Sequence, residues 1–338
     1  MKLLRTCMPL ATAFMTLLLL GCGSGDVPTV STTGNPYAVF GLAYPGWDPA
    51  AGGPGPVLDQ TFGGGDEAAI PLALLAACQT ITFLTAGIDL SVGAVASMSG
   101  FVVATLVGGQ GLLVALLVAL VIAALAGLVT GVGVGVFRVH PLIMTLGMGL
   151  VVLGLANVWQ LVMVQTSAGV PETLRWLGSG TTFTVLPNSL LVFVPIAAFV
   201  LLLLRRTGFG RLLYAIGDNP VAARLSGARA WQVLIALYIL SAVIAGIAGF
   251  VYAGFTNVAS VSLVDSAVLP SVAAAVIGGT SIMGGRGGYA GTIVGAIILT
   301  VLISLLSALG LPEALRQILF GSLIVIVAAA YSRVTSES

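Results

Sequence analysis

Very few side chains in this 338-residue sequence are equipped for chemistry. There is one histidine, His140, so neither a histidine-based metal cluster nor a histidine-dependent catalytic triad has the material it needs. Beside Pro141 at a turn, it reads as a loop residue rather than a proton relay. Cys7, Cys22 and Cys78 lack metal or redox spacing. No GxxxxGK[ST] phosphate loop occurs: the glycine-rich run 278–288 holds Arg286 but no lysine, so the chain is not expected to hydrolyse ATP. What remains is a handful of polar residues in apolar surroundings. Asp89 stands in GIDLS between two apolar runs, and a carboxylate at membrane depth is costly enough to mark a functional position. It has two compatible roles. Asp89 or Ser91 can cap the helix that begins near Val92, and a broken helix also offers its free amides and a carboxylate to a polar solute. Thr280 and Ser281 are hydroxyls of the kind a sugar could use, although packing between helices is their commoner use. No catalytic residue, metal or cofactor is expected.

These residues need elements to hold them, and composition says which. With 58% apolar and 7% charged residues, the chain is far below the roughly 25% charge of soluble domains, and it reads as an all-helical polytopic membrane protein. Its 45 glycines suit close helix packing in lipid. Apolar runs fall at about 69–88, 91–108, 111–137, 141–165, 190–205, 231–254, 266–282, 287–309 and 314–331. Several are near the ~20 residues a span requires, which predicts about nine transmembrane helices, or about ten with an N-terminal one. Residues 1–25 have a basic start and a short apolar run ending in Leu-Leu-Gly-Cys. They read either as a signal resembling that of a lipoprotein, with Cys22 lipidated, or as a short first span. Residues 26–68, rich in Gly, Pro, Thr and Asp, read as an external irregular segment.

Orientation follows from the basic residues, which stay on the cytoplasmic side. Alternating the spans from a cytoplasmic N-terminus leaves only Arg175 and Arg316 of the 12 basic residues outside. The acids go the other way: Asp26, Asp48, Asp59, Asp66, Glu67, Glu172, Asp265 and Glu313 all fall outside. The C-terminal tail, 334–338, is then cytoplasmic. So is the segment 205–230, which contains RLLYAIGDNPVAARLSG at 211–227. Within it Asn219 is a good N-cap, Pro220 suits N1 and Gly227 suits a left-handed C′, which predicts one short helix from Pro220 to Ser226. A helix this short is marginal alone, so one with both ends spelled out is expected to be held against another protein.

Two further patterns complete the reading. The run entering at 69–88 breaks at TAGIDLSVG, and the run at 266–282 breaks at GGTSIMGGRGG; both cross in the same direction. Paired glycine-interrupted spans point to two pseudo-repeated halves around a pathway. Trp159, Trp231 and Tyr331 fit packing or interface anchors. Glu172, Arg175 and Trp176 lie in a long external loop that could meet a delivered partner, a solvated surface being its default.

Three segments together carry a family resemblance over about residues 70–333: TAGIDLSVGAVASMSG at 85–100, YAIGDNPVAARLSGA at 214–228 and VIGGTSIMGGRGGYAGTIVGA at 276–296. They resemble the permease subunits of bacterial ATP-binding-cassette importers of the ribose, xylose and galactose type. The middle segment is similar to the family's YAxGxNxxAAxxSG hairpin, with Tyr214, Gly217, Asn219, Ala222, Ala223, Ser226 and Gly227 matching and Arg224 among them. In such permeases that hairpin is the coupling helix seated in a groove of the ATPase. The resemblance implies a multi-pass protein of the bacterial inner membrane, with residues 69–333 as the permease domain. It further implies a second permease chain, as homodimer or heterodimer, a cytoplasmic ATPase, an external sugar-binding protein, and no nucleic acid. The solute is expected to be a monosaccharide, with a nucleoside or polyol as the alternative. A stand-alone secondary transporter would need acids inside the membrane, and beyond Asp89 the spans offer almost none. A membrane-embedded enzyme is disfavoured by the lone histidine. The long N-terminal segment departs from the family pattern.

Overall fold

The computed structural model describes residues 65–163, 169–182, 186–309, 314–315, 318–319 and 321–322. The segment with Cys22, almost all of the external segment, most of the apolar run 314–331 and the tail lie outside the described residues. The chain divides at Gly53, and every described residue belongs to the second unit, Pro54–Ser338.

Helices make up nearly all of it. In chain order they are α1 (Gly65–Phe83), α2 (Val92–Gln110), α3 (Leu112–Gly135), α4 (Pro141–Met163), α5 (Glu172–Ser179), α6 (Leu190–Arg206), α7 (Gly208–Asp218), α8 (Pro220–Leu225), α9 (Ala230–Thr256), α10 (Asp265–Ile277) and α11 (Tyr289–Ala308). One antiparallel ladder of two residues on each side joins β1 (Thr181–Thr182) to β2 (Leu186–Pro187), with Thr181 opposite Pro187. Among the described residues, α2, α3, α4, α9 and α11 are each long and apolar enough to cross a membrane. The helices α6 and α7 are apolar enough only when taken together and are bent by 68° at their junction, and α1 and α10 are shorter apolar helices. The expected polytopic helical architecture is therefore the one the chain adopts. Two helices are additions to it. The loop between α4 and α6 contains α5, whose Leu174 is buried, and the segment after α6 contains α7 ahead of the short helix.

The bundle is organised around α9, which packs against α1, α2, α3 and α5. Small residues permit this. A Cβ on Gly127 of α3 would lie 2.4 Å from the Tyr238 carbonyl of α9, and one on Gly249 of α9 would lie 2.0 Å from the Ala96 carbonyl of α2. Lipid supplies no hydrophobic drive for two apolar helices to associate, so close backbone approach and dispersion must hold them. The outer faces are the opposite kind of surface. Leu113, Leu150 and Leu161 on α3 and α4 are more than two-thirds exposed, as residues facing acyl chains or a second apolar chain would be.

Both spans that the sequence marks as broken end in the same way. At the end of α1, Ala86 adopts φ +58°, the Ala86 N–H donates to Phe83 O (2.8 Å), and the Gly87 N–H donates to Thr82 O (3.1 Å). At the end of α10, Gly279 adopts φ +84°, its N–H donates to Val276 O (2.9 Å), and the Thr280 N–H donates to Ala275 O (3.0 Å). Each is a Schellman closure, which satisfies terminal carbonyls and turns the chain sharply. After the first, residues 87–91 run back along α1 to the start of α2.

Candidate functional site

The hairpin is capped at every end. Thr207 Oγ1 accepts from the Gly210 N–H at the start of α7 (3.1 Å). Asn219 Oδ1 accepts from the N–H groups of Val221 and Ala222 at the start of α8 (3.0 Å each), with Pro220 at N1. Gly227 takes φ +88°, its N–H donates to Arg224 O and the Ala228 N–H donates to Ala223 O (3.0 Å each). Ser226 Oγ adds a bond to Ala223 O (2.8 Å) and Arg224 Nε one to Pro220 O (3.0 Å). The six-residue α8 is therefore rigid although it is short, and it ends at Leu225, one residue before the expected Ser226. It turns Ala223 inward and leaves Val221, Ala222 and Leu225 exposed, Leu225 to 84%.

The inner side of the hairpin meets both breaks. A Cβ on Gly217, near the end of α7, would lie 1.7 Å from Leu84 O and 2.6 Å from Gly285 N, and one on Gly284 would lie 2.8 Å from Gly217 O. The Gly285 N–H donates to Leu84 O (3.0 Å), tying the second break to the first, and Tyr214 Oη donates to Gly287 O (2.9 Å). Three turns distant in sequence thus touch backbone to backbone, with no side chain between them at Gly217.

Asp89 lies inside the protomer, 2% exposed. Its Oδ1 accepts from the Ser91 N–H (3.0 Å) and Ser91 Oγ (2.6 Å), and its Oδ2 accepts from Ser241 Oγ of α9 (3.0 Å). Gln79 Nε2 of α1 donates to the Asp89 carbonyl (2.8 Å), and Thr145 Oγ1 of α4 donates to the Ile88 carbonyl (3.0 Å). The carboxylate therefore holds the residue that precedes α2 and fastens the segment 87–91 to α9. Ser91 itself makes no side-chain cap bond. Two buried polar atoms in this region, Gln79 Oε1 and Tyr238 Oη, have no hydrogen-bond partner.

The second break is built from its own hydroxyls. Thr280, fully buried, stands 3.4 Å from Thr292 Oγ1, which in turn is 2.7 Å from Thr80 Oγ1, so α1, the break and α11 share one row of hydroxyls. Ser281 Oγ accepts from the Met283 N–H (3.2 Å), and its own N–H donates to Arg286 O (3.0 Å). Thr280 is tied to α11 and α1 through the hydroxyl row, whereas Asp89 and Ser91 are tied to each other and Asp89 to α9. Gln79, Thr80, Thr145, Ser241 and Thr292 were not singled out in the sequence. Their one signal there is a polar side chain inside an apolar run.

Known proteins give this geometry a context. The family described as Branched-chain amino acid transport system / permease component matches residues 67–328. The fructose import permease protein FrcC of Rhizobium meliloti is 34% identical over 265 residues, covering 76% of this chain and 74% of its own. The ribose import permease protein RbsC of Escherichia coli K12 is 35% identical over 256 residues, covering 73% and 77%. The probable ABC transporter permease protein YphD of the same strain is 32% identical over 278 residues, covering 81% of each. No solved structure matches. The match spans all three broken or capped segments described above, and on its extent the chain belongs to the family of permease components of ATP-binding-cassette import systems.

Proposed function

We propose that this chain forms the translocation pathway for a monosaccharide and is driven by a separate cytoplasmic ATPase docked on the α7–α8 hairpin. Relatives named for fructose and ribose import favour a small sugar as solute. The carrying observation is the contact of α7 with both breaks through Gly217, Leu84 and Gly285. An ATPase gripping the exposed apolar face of Val221, Ala222 and Leu225 would then move a rigid hairpin whose inner end shifts both broken spans together. The basic residues favour this end as cytoplasmic, and the matching Schellman closures favour two repeated halves. A second permease chain supplies the other wall of the pathway, and an external sugar-binding protein delivers the solute.

The test is copurification with the cognate ATPase, followed by uptake in proteoliposomes. Leu225→Asp places a charge on the docking face and leaves the inner seam intact. It is expected to abolish ATPase capture without lowering the melting temperature of the permease. Uptake without any ATPase, or full ATPase binding by a Val221→Asp, Leu225→Asp double variant, would overturn the proposal.

A further inference from the structure

Beside the hairpin, a cleft of ≈ 680 Å³ opens between the end of α3, the start of α9 and the α7–α8 segment. Arg138, Arg224 and Arg229 line it, and none of its lining residues is acidic. Arg138 is fixed by its own backbone. It sits at φ +55° in the turn after α3, which is closed by the Val139 N–H on Gly133 O (3.0 Å). Arg224 is held by its Nε bond to Pro220 O, which leaves the outer nitrogens of the guanidinium free. Among the described residues, neither the Arg138 nor the Arg229 side chain has a hydrogen bond or ion pair. Three guanidinium groups thus converge without a counter-charge.

The rest of the wall is apolar. Val136, Trp231 and Leu234 line the cleft, and Phe137 beside it is 75% exposed. From there the outer face of α3 continues through Val129, Leu125 and Val121, each at least half exposed. A ring of arginines with an indole at its edge, above an apolar wall that runs toward the bilayer centre, matches a lipid in cross-section: a charged head, an interface and an acyl chain. An acidic loop of a soluble partner would answer the charges and leave that wall bare.

We infer that this cleft binds the phosphate headgroup of an anionic phospholipid. The lipid would brace the base of the hairpin against α3 and α9. Placing it in the cytoplasmic leaflet rests on the orientation proposed above, whereas the binding itself does not.

The test uses purified full-length permease titrated with phosphatidylglycerol or phosphatidylcholine brominated on the acyl chain. Tryptophan emission is the readout, and a Trp231→Phe protein isolates the signal of that residue. Phosphatidylglycerol is expected to quench Trp231 at a concentration at least about tenfold lower than phosphatidylcholine, and inorganic phosphate is expected not to displace it. Arg138→Gln and Arg229→Gln should each weaken the phosphatidylglycerol response by about fivefold, the usual effect of one basic group near an anionic surface. Arg138→Lys and Arg229→Lys should keep it, which separates lost charge from lost fold. Equal quenching by the two lipids, indifference to both glutamine variants, or displacement by inorganic phosphate alone would each overturn the inference. The assay needs neither ATPase nor a defined orientation. Its failure would remove the lipid site and leave the importer reading to be judged by ATPase capture.

Discussion

Under the proposed function, a single methyl group added at position 217 should separate docking of the ATPase from transmission of its stroke. In Gly217→Ala the new Cβ would stand 1.7 Å from Leu84 O, against the 3.4 Å of ordinary contact, so the seam must part by about 1.7 Å. The bond from the Gly285 N–H to Leu84 O, 3.0 Å long, cannot survive that displacement. Leaving the buried Leu84 carbonyl unpaired costs about 1–3 kcal/mol, and the overpacked backbone roughly 1–3 kcal/mol more. Since about 1.4 kcal/mol is tenfold in an equilibrium, a coupled state that depends on this contact should lose at least about tenfold in occupancy. The face of α8 is untouched, so ATP hydrolysis should continue at close to the wild-type rate while sugar uptake per ATP falls by at least about tenfold. The assay is parallel measurement of phosphate release and labelled-sugar uptake in proteoliposomes, with a thermal melt of the purified permease. Gly208→Ala is the control, because its nearest neighbour would be the end of the flexible Arg211 side chain at 3.8 Å. If Gly217→Ala imports as much sugar per ATP as the wild type and melts at the same temperature, the seam does not transmit the stroke and the reasoning fails.

Other substitutions probe the remaining links. Asp89→Asn keeps an oxygen for the Ser91 N–H, whereas Asp89→Ala strands Ser91 and Ser241 as well. The alanine variant should therefore lose roughly 2–5 kcal/mol in a denaturant titration and the asparagine variant far less; equal losses would mean that the charge itself is needed. Asn219→Ala removes the acceptor for two N–H groups of α8 and should cost about 1 kcal/mol, read as weaker ATPase capture with an unchanged melt of the bundle. Ala86→Gly relieves a left-handed alanine and should raise stability by about 1 kcal/mol in the same titration; a fall would show that the closure of α1 is not at its preferred geometry.

Much of this architecture is legible in the chain because lipid enforces simple rules. Apolar runs near span length and the segregation of arginines locate the helices, and the Asn219, Pro220 and Gly227 signals place α8 to within a residue. The helix α7 stayed hidden because Gly208 and Gly210 read as breakers, while its amphipathic run Arg211–Asp218 is too short to stand out beside true spans. In sequence the helix α5 reads as a solvated loop: Pro171 and Gly180 flank it, but burial of Leu174 against α9 is a tertiary fact with no local trace. Asp89 could be recognised as important, yet its partner on α9, Ser241, lies 152 residues away in a run whose hydropathy masks one hydroxyl.

The seam is the harder case, and its chemistry explains why. A contact made through side chains leaves a pattern of types and spacings, whereas a contact made by removing side chains leaves only glycine, which this chain uses everywhere for helix packing. Gly217, Gly284 and Gly285 look in sequence like turn residues. They are instead the places where three backbones must meet within hydrogen-bond distance, and any Cβ would keep them apart. For a transporter this has a mechanical consequence. Side chains can change rotamer and absorb a displacement, but backbone pressed on backbone cannot, because interiors packed at this density transmit strain. A hairpin pushed at its exposed face must therefore move both breaks or separate from them, and separation breaks the bond between Gly285 and Leu84. Under the proposed function, the short capped helix and the glycine seam would be two halves of one requirement, rigidity along the whole path from ATPase to pathway.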